Sequence, residues 1–374
     1  MDFPYTCPHC NQTFLATEEH VGVEIDCPGC SRKSVVRKDS PSPATPLRTE
    51  SLDLSLENLT LPKEKTYFAI LMTISIIGWI ILTVSVFGIL YALLFGVAAW
   101  FASGLLAAHL KSESIRVSAE QFPVLYRSFE DVCRKLQLET VPEFYIVQHN
   151  GVLNAFATRH SGRNFVVIFS DLLEALGHDS PQVRFLIGHE IGHIRRNHLL
   201  KRLALVPSMI IPLIGHAYHR ACEATCDRFG LFAAGNTRGA TLGLLVLAGG
   251  REAAPLADPA AFARQHHQQR GFFVSWHELA SGYPTLSQRV SNMLSVSNPE
   301  FATKAGRNPL AYLFAPVFSF QSLVIIYLVA VFGALALPAI HKAVEKGKAV
   351  QQQRNRALLQ LHPKNAAAVP KKGR

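Results

Sequence analysis

The stretch GHEIGHIRRNH, residues 188–198, contains two histidines and an acid with the types and the spacing of a catalytic metal site. His189 and His193 are four residues apart, so in a helix both rings lie on one face and can bind one ion. Glu190 lies beside them and can take a proton from a metal-bound water. In a chain this rich in histidine the pattern arises by chance on the order of a few per cent of the time. A third ligand is therefore needed to support the interpretation.

A pair of acids downstream, in HRACEATCDRFG (residues 219–230), supplies that candidate. Glu223 and Asp227 are one helical turn apart and face the same side. A catalytic zinc binds three protein ligands and keeps one position open. We therefore predict that Glu223 joins the two histidines as a ligand and that Asp227 accepts a hydrogen bond from a histidine or an arginine. Cys226 either approaches the metal or is a small buried side chain.

Four cysteines near the N-terminus form a second candidate metal site. Their spacing is C-x2-C-x16-C-x2-C, and each C-P-x-C turn can direct two sulfurs at one tetrahedral ion. A segment this short has no core without a metal, which predicts a structural zinc ribbon held by Cys7, Cys10, Cys27 and Cys30. Thiolates need a reducing compartment, so we expect the ribbon in the cytoplasm. Whether the ribbon contacts nucleic acid, a protein or the substrate stays open. The polar first 30 residues show no signal peptide.

Uncharged segments indicate a membrane protein with soluble parts, because 49% of the 374 residues are hydrophobic and only 17% are charged. Residues 66–108 carry no charge, and as one helix they would be about 65 Å long, roughly twice the thickness of the hydrocarbon core. Two crossings with a turn near 88–91 fit better. Basic residues flank this block and favour the cytoplasmic side. They also account for much of the net charge of +10 without a nucleic-acid partner.

Hydrophobic periodicity predicts a mainly α-helical body with a small β-sheet. The expected elements are a helix at 119–138, strands at 143–147 and 164–170, and helices at 181–201, 216–234 and 236–249. The apolar segment 203–215 is too short to span a membrane; it dips into the bilayer edge, closes over the site or is buried. The apolar block 308–340 either crosses the membrane or is re-entrant. The resulting divisions are a zinc ribbon at 1–38, a flexible linker at 39–65, a transmembrane hairpin at 66–110, a catalytic body at 111–300, the block at 308–340 and a basic tail at 341–374.

These motifs and their order resemble the HtpX-like membrane zinc endopeptidases, gluzincins related to the CAAX prenyl protease. The likeness covers about residues 100–300 and includes HEIGH, HRACEATCDRFG, the apolar hairpin and LNAFATRH at 153–160. The resemblance implies a membrane-anchored zincin-type fold, zinc bound by both histidines and Glu223, and Glu190 as the catalytic base. It also implies that Asp227 supports a ligand and that Asn154 holds the substrate backbone.

One position departs from this family. Its members usually have a His-Pro pair followed by an arginine near the end of the domain, with the histidine on the reacting carbonyl. Here the segment reads YPTLSQR, so Pro284 and Arg289 match and Tyr283 stands where the histidine is expected. A phenol can still donate a hydrogen bond to an oxyanion. The resemblance further implies that Arg289 pairs with Asp227.

The prediction is an integral membrane zinc metalloendopeptidase with one catalytic and one structural Zn²⁺. Its catalytic domain and ribbon would face the cytoplasm, its partners would be a protein or peptide substrate and membrane lipid, and no nucleic-acid partner is clearly indicated. NFVVIFS, residues 164–170, is a candidate edge for an extended substrate. Membrane protein quality control is a candidate role. The alternatives are a non-catalytic scaffold for the ribbon, a membrane regulator that binds nucleic acid, and a prenyl-protein protease.

Overall fold

The computed structural model describes residues 3–7, 13–28, 32–36, 54–149, 151–302, 305–317 and 320–361. The chain divides into two compact units, Met1–Pro316 and Val317–Arg374. The fold is mainly helical with small sheets, which confirms the predicted class.

Two short antiparallel hairpins make up the N-terminal segment. Their strands are β1 (Phe3–Thr6), β2 (Thr13–Ala16), β3 (Glu24–Asp26) and β4 (Lys33–Val35). Cys7 directly follows β1, Cys27 directly follows β3, and both are buried. Each hairpin thus carries one described cysteine of the predicted ribbon. The other two, Cys10 and Cys30, lie outside the described residues.

Two long apolar helices follow, α1 (Pro62–Val84) and α2 (Val86–Glu113). In the described residues these are the helices long and apolar enough to cross a membrane, the second of them over Gly88–Glu113. The predicted turn at 88–91 is wrong: the helices meet at Ser85, whose hydroxyl caps α2 by accepting from the backbone of Gly88 at 3.2 Å. The first helix also begins inside the segment expected to be a flexible linker, since proline favours the first helical position.

A four-stranded sheet lies in the body. Its strands are β5 (Ile115–Arg116), β6 (Glu143–Val147), β7 (Ala155–His160) and β8 (Arg163–Phe169), with α3 (Pro123–Lys135) between the first two. The order is β5-β6-β8-β7, with β6 and β8 parallel and the other pairs antiparallel. The expectation that 164–170 offers a free edge is therefore wrong, because β7 pairs with β8 along its length. The edge strand next to β8 is β7, which the sequence did not predict as a strand, and the other edge is the two-residue β5.

Helices complete the body and form most of its core. They are α4 (Ser170–Leu176), α5 (Pro181–Arg195), α6 (His198–Ala204), α7 (Ile214–Ala234), α8 (Thr237–Ala253), α9 (Pro259–Gln268), α10 (Phe272–Ala280), α11 (Leu286–Leu294) and α12 (Pro309–Val317). The largest buried cluster joins α3, β6, β8, α5 and α8. The single helix predicted at 181–201 is wrong, because Asn197 adopts a left-handed conformation (φ 53°) and separates α5 from α6. Asparagine is one of the few residues that tolerate this conformation.

Helices α5 and α7 pack closely because glycines lie where they touch. A Cβ on Gly230 would come within 2.6 Å of the backbone oxygen of Phe185. A Cβ on Gly192 would lie 3.1–3.2 Å from Phe229 and Cys226, and one on Gly188 would collide with Ala233. Glycine is costly inside a helix, and at these positions it admits the neighbouring helix.

The apolar segment 203–215 lies against α1. The hydroxyls of Ser75 and Ser208 are 2.7 Å apart and buried, and the indole of Trp79 donates to the backbone oxygen of Ala204 at 2.8 Å. Packing beside the first apolar helix was not among the three placements considered from the sequence.

The second unit contains α13 (Phe320–Leu361). This helix combines most of the last apolar block with the first part of the predicted basic tail, so the boundary expected at residue 341 is not a structural break.

Candidate metal centre

The two histidines of α5 and the first acid of α7 converge at one point. The Nε2 atom of His189 lies 3.2 Å from Oε2 of Glu223, and Nε2 of His193 lies 3.5 Å from Oε1 of the same carboxylate. Their ligand atoms all lie within 4.8 Å of one another. Ligands about 2.1 Å from a tetrahedral zinc are about 3.4 Å apart, so both observed distances match the edge of such a site. Two imidazoles and a carboxylate are also a donor set that zinc prefers.

Asp227 orients His189 through the ring nitrogen that faces away from Glu223, and Arg289 binds Asp227. Nδ1 of His189 lies 2.9 Å from Oδ1 of Asp227, and this contact directs Nε2 toward Glu223. The guanidinium of Arg289 donates to both oxygens of Asp227, at 2.9 and 2.5 Å. All three side chains are buried. Burial opposes ionisation of Asp227, but the Arg289 charge and the His189 contact hold its pKa well below the usual range.

Glu190 is buried beside the metal ligands and belongs to the same cavity. Burial raises the pKa of its carboxyl to about 7, and the charge of Glu223 acts in the same direction. The backbone amide of Ala157, on the edge strand β7, donates to this carboxylate. An acid with a pKa near neutrality can both accept and return a proton.

A cleft of about 420 Å³ opens onto these residues. One wall is the edge strand β7 with Asn154 just before it, and another part of the lining is Tyr283. The Asn154 side-chain oxygen accepts from the amide of Ala155 at 2.9 Å, and its carbonyl accepts from Phe169 at 3.0 Å. Tyr283 is 60% exposed, and its backbone is fixed by the hydroxyl of Ser281 at 3.0 Å. The cleft therefore brings together all the candidate catalytic residues of the sequence analysis.

Cys226 lies behind the centre. Its sulfur is buried, 3.6 Å from Nδ1 of His198. Burial raises the pKa of this thiol well above its usual value, so the thiol is protonated when no metal is bound. Both Cys222 and Cys226 are free cysteines.

Two further side chains near the centre were missed by the sequence reasoning. His198, at the end of the motif stretch, lies 3.0 Å from Nδ1 of His193, and Arg202 lines the cleft. The signal for His198 was its place in HEIGHIRRNH, but only the break at Asn197 turns it back toward the ligand.

Known proteins resemble part of this chain. Residues 119–297 match peptidase family M48, a family of zinc metallopeptidases. The plastoglobule-localized metallopeptidase 48 of Arabidopsis thaliana is 27% identical to this chain over 153 residues. That match covers 37% of this chain and 43% of the relative, so the chain spans less than half of the relative's length. No solved structure matches the chain. The predicted likeness to the family is thus confirmed for this domain.

Proposed function

We propose that this protein is a membrane-bound zinc metalloendopeptidase that hydrolyses peptide bonds of protein substrates. The observation that carries the proposal is the convergence of His189, His193 and Glu223 at tetrahedral-edge distances beside a buried Glu190. A scaffold that only displays the N-terminal ribbon would not need this acid or the cleft in front of it. The M48 match of residues 119–297 supports the same activity.

The residues of the site have distinct roles in this proposal. His189, His193 and Glu223 would hold a zinc ion, which when bound lowers the pKa of a water and polarises the scissile carbonyl. Glu190 accepts the proton of the attacking water and delivers it to the leaving amine. Asp227 keeps Nδ1 of His189 protonated, and thereby keeps Nε2 free for the metal.

The substrate would lie along the edge strand. β7 lines the cleft, and no described strand pairs with its outer side, so an extended peptide can add to it through backbone groups other than the Ala157 amide, which donates to Glu190. Asn154, at the start of this strand, would bind the substrate backbone. Tyr283, on the cleft lining, would donate its phenol to the oxyanion that forms on the carbonyl.

The test compares wild type with Glu190→Gln on a panel of membrane and soluble protein substrates. We expect the variant to bind one zinc at this centre as tightly as wild type and to lose cleavage by a factor of 10² to 10⁴ or more, since a general base contributes about this much. Glu252→Gln, at a side chain 97% exposed, is the matched control and should cleave normally. Cleavage by a zinc-loaded Glu190→Gln protein would refute the mechanism. Cleavage restricted to prenylated peptides would favour the prenyl-protein protease instead.

The apolar hairpin would anchor the protein in the membrane. Most apolar side chains of α1 and α2 are exposed, including Ile81 at 64% and Phe95 at 68%, and such surfaces are stable in lipid. Ser75 lies thirteen residues into α1, about 20 Å from its start and well inside a hydrocarbon core about 30 Å thick. Because Ser208 is bonded to Ser75, the segment around it would enter the same layer. Lipid would then surround the exposed side chain of Leu203.

Thiol labelling in opened membranes tests this placement. A cysteine at Leu203, 61% exposed, should react more slowly with a water-soluble maleimide than one at Leu256, 78% exposed and on the body. In detergent with lipid removed the two rates should approach each other. Equal rates in the membrane would contradict a lipid contact at Leu203.

The N-terminal hairpins would bind the second, structural zinc through Cys7, Cys10, Cys27 and Cys30, and would face the cytoplasm together with the catalytic domain. Cys7 directly follows β1 and Cys27 directly follows β3, the first strands of two similar hairpins. These equivalent positions support a shared metal site. Metal analysis should give two zinc ions per chain for wild type and one for Cys27→Ser. An unchanged stoichiometry in the variant would refute the structural site.

A further inference from the structure

The first turn of the membrane-anchoring helix carries a buried acid. Glu64 is only 1% exposed, although it lies between Lys63 and Lys65 at the start of an apolar helix. Its Oε1 accepts from Arg196, with Nη2 at 2.9 Å and Nε at 3.2 Å. Its partners come from the end of α5 and from α6, more than 130 residues away in sequence. A carboxylate in this position joins the anchor to the metal-binding helix.

His198 connects Oε1 of Glu64 to the proposed zinc ligand His193. Nε2 of His198 lies 3.3 Å from Oε1 of Glu64, and Nδ1 of His198 lies 3.0 Å from Nδ1 of His193. If His193 binds the metal through Nε2, its Nδ1 is protonated and donates to Nδ1 of His198. His198 must then carry its own proton on Nε2, the ring nitrogen that lies in charge contact with Glu64 but outside hydrogen-bond geometry. The three groups therefore have one mutually consistent set of protons.

A second metal site is the competing interpretation of this cluster. Glu64, His198 and Cys222 are buried and have ligand atoms close enough to bind an ion. However, the Arg196 guanidinium at 2.9 Å and the Lys201 ammonium at 3.8 Å already lie on the Glu64 carboxylate. A cation placed there would be repelled by two fixed positive charges in a poorly solvated site. The cluster is better explained as an ion pair that orients a histidine.

We propose that Glu64 and His198 are positioning residues for the zinc ligand His193, and so couple the membrane anchor to the metal centre. This inference rests on the proposed zinc site. Asp227 orients His189 from one side, and the Glu64–His198 pair orients His193 from the other. The contact between Asp227 and His189 lies wholly within the body, whereas the Glu64–His198 pair depends on the position of the first turn of α1. A displaced anchor helix would therefore loosen the metal ligand.

A double-mutant cycle on zinc affinity tests the coupling in the full-length protein. Partners of ligand histidines typically contribute 10–100-fold to metal affinity, so we expect Glu64→Gln and His198→Phe each to weaken zinc binding by at least about 10-fold. If Glu64 acts through His198, the double variant should bind no more weakly than His198→Phe alone. His198→Asn keeps an acceptor near the place of Nδ1 and should recover part of the affinity. The absorption spectrum of the Co²⁺-loaded protein should shift in the variants that weaken binding.

The matched control is another buried acid in a cluster of arginines. Glu278 is 1% exposed and is bound by Arg270 at 2.7 Å and Arg307 at 2.9 Å, so Glu278→Gln costs a comparable ion pair. It should lower the melting temperature without changing zinc affinity. If Glu64→Gln does not fold, the zinc affinities of His198→Phe and His198→Asn still test whether His198 positions His193. Only His198→Phe, which loses the acceptor, should weaken zinc binding fully.

The inference and the proposed function fail in different ways. Additive effects of the two substitutions, or zinc affinities within twofold of wild type in Glu64→Gln and His198→Phe, would overturn the coupling while leaving the zinc peptidase intact. A wild-type protein whose metal centre binds no zinc would instead overturn the proposed function itself.

Discussion

The close contact between α5 and α7 makes a small substitution informative. Gly230 of α7 faces the backbone of Phe185, one turn before the first ligand histidine, and an added Cβ would lie 2.6 Å from the Phe185 oxygen. Ordinary contact begins at 3.4 Å, so the shortfall, 3.4 minus 2.6 Å, is about 0.8 Å. The obstacle is backbone, which cannot rotate away as a side chain would. Gly230→Ala must therefore push the two helices apart.

The proposed zinc site should respond to this separation, because its candidate ligands come from both helices. Zinc sites hold their ligand distances to within about 0.2 Å. A separation of α5 and α7 by about 0.8 Å exceeds this tolerance, and so does about half of that, which would remain at the ligands if the helices only tilted apart. We expect Gly230→Ala to cost about 1–3 kcal/mol of unfolding free energy, as overpacking of a core usually does. We also expect it to weaken zinc binding by at least about 10-fold, comparable with the loss of a group that orients a ligand.

Chelator competition on the folded protein measures the affinity, and urea unfolding of the metal-free protein measures the stability. Gly249→Ala is the control, since a Cβ there meets only Ala253 at 3.4 Å, next to the break in α8 at Gly250. It should leave zinc affinity unchanged and alter the unfolding free energy by less than about 1 kcal/mol. If Gly230→Ala is destabilised but binds zinc within twofold of wild type, the helix spacing does not set the metal geometry.

Three further outcomes follow from the site. Arg289→Met should lower the unfolding free energy by about 3–5 kcal/mol, because it leaves the buried Asp227 charge unpaired; Arg264→Met, whose ion pair is half-exposed at 3.7 Å, should cost at most about 1 kcal/mol in the same urea titration. Tyr283→Phe should lower kcat by about 10²-fold or more with little change in KM if the phenol binds the oxyanion, and an unchanged kcat would remove Tyr283 from the mechanism. A chelator should abolish proteolysis and lower the melting temperature, and added Zn²⁺ should restore both; activity that survives complete metal removal would contradict a zinc enzyme.

The convergence of the candidate metal ligands could be predicted from sequence because their spacing is local. The two histidines at i and i+4 and the two acids at i and i+4 need only helical periodicity to face one side. The carboxylate of Glu223 then has few partners other than the histidines, since alanine and cysteine surround it. The strands β6 and β8 were also predictable, because continuous apolar runs such as FVVIF are typical of buried strands.

The features that the sequence did not predict depend on long-range contacts or on single backbone conformations. AFATRH has no strong alternation and becomes a strand only because it pairs with β8, and that pairing removes the edge expected at 164–170. The left-handed residue Asn197 ends α5, yet asparagine within a helical pattern is only a weak signal for a break. Neither feature changes the hydrophobic period on which the helix and strand predictions relied.

The acid in the first turn of the first apolar helix shows why charge patterns at membrane boundaries are ambiguous. Lys63, Glu64 and Lys65 together resemble a solvated flank that fixes orientation by its basic residues. The structure buries only the middle residue, because Arg196 and His198 lie against that face of the helix. The lysines on either side point elsewhere and can still face lipid headgroups. One turn of helix can thus orient the anchor in the membrane through Lys63 and Lys65 and attach it to the catalytic helix through Glu64. The sequence distinguishes these roles only when the partner of the buried acid is known.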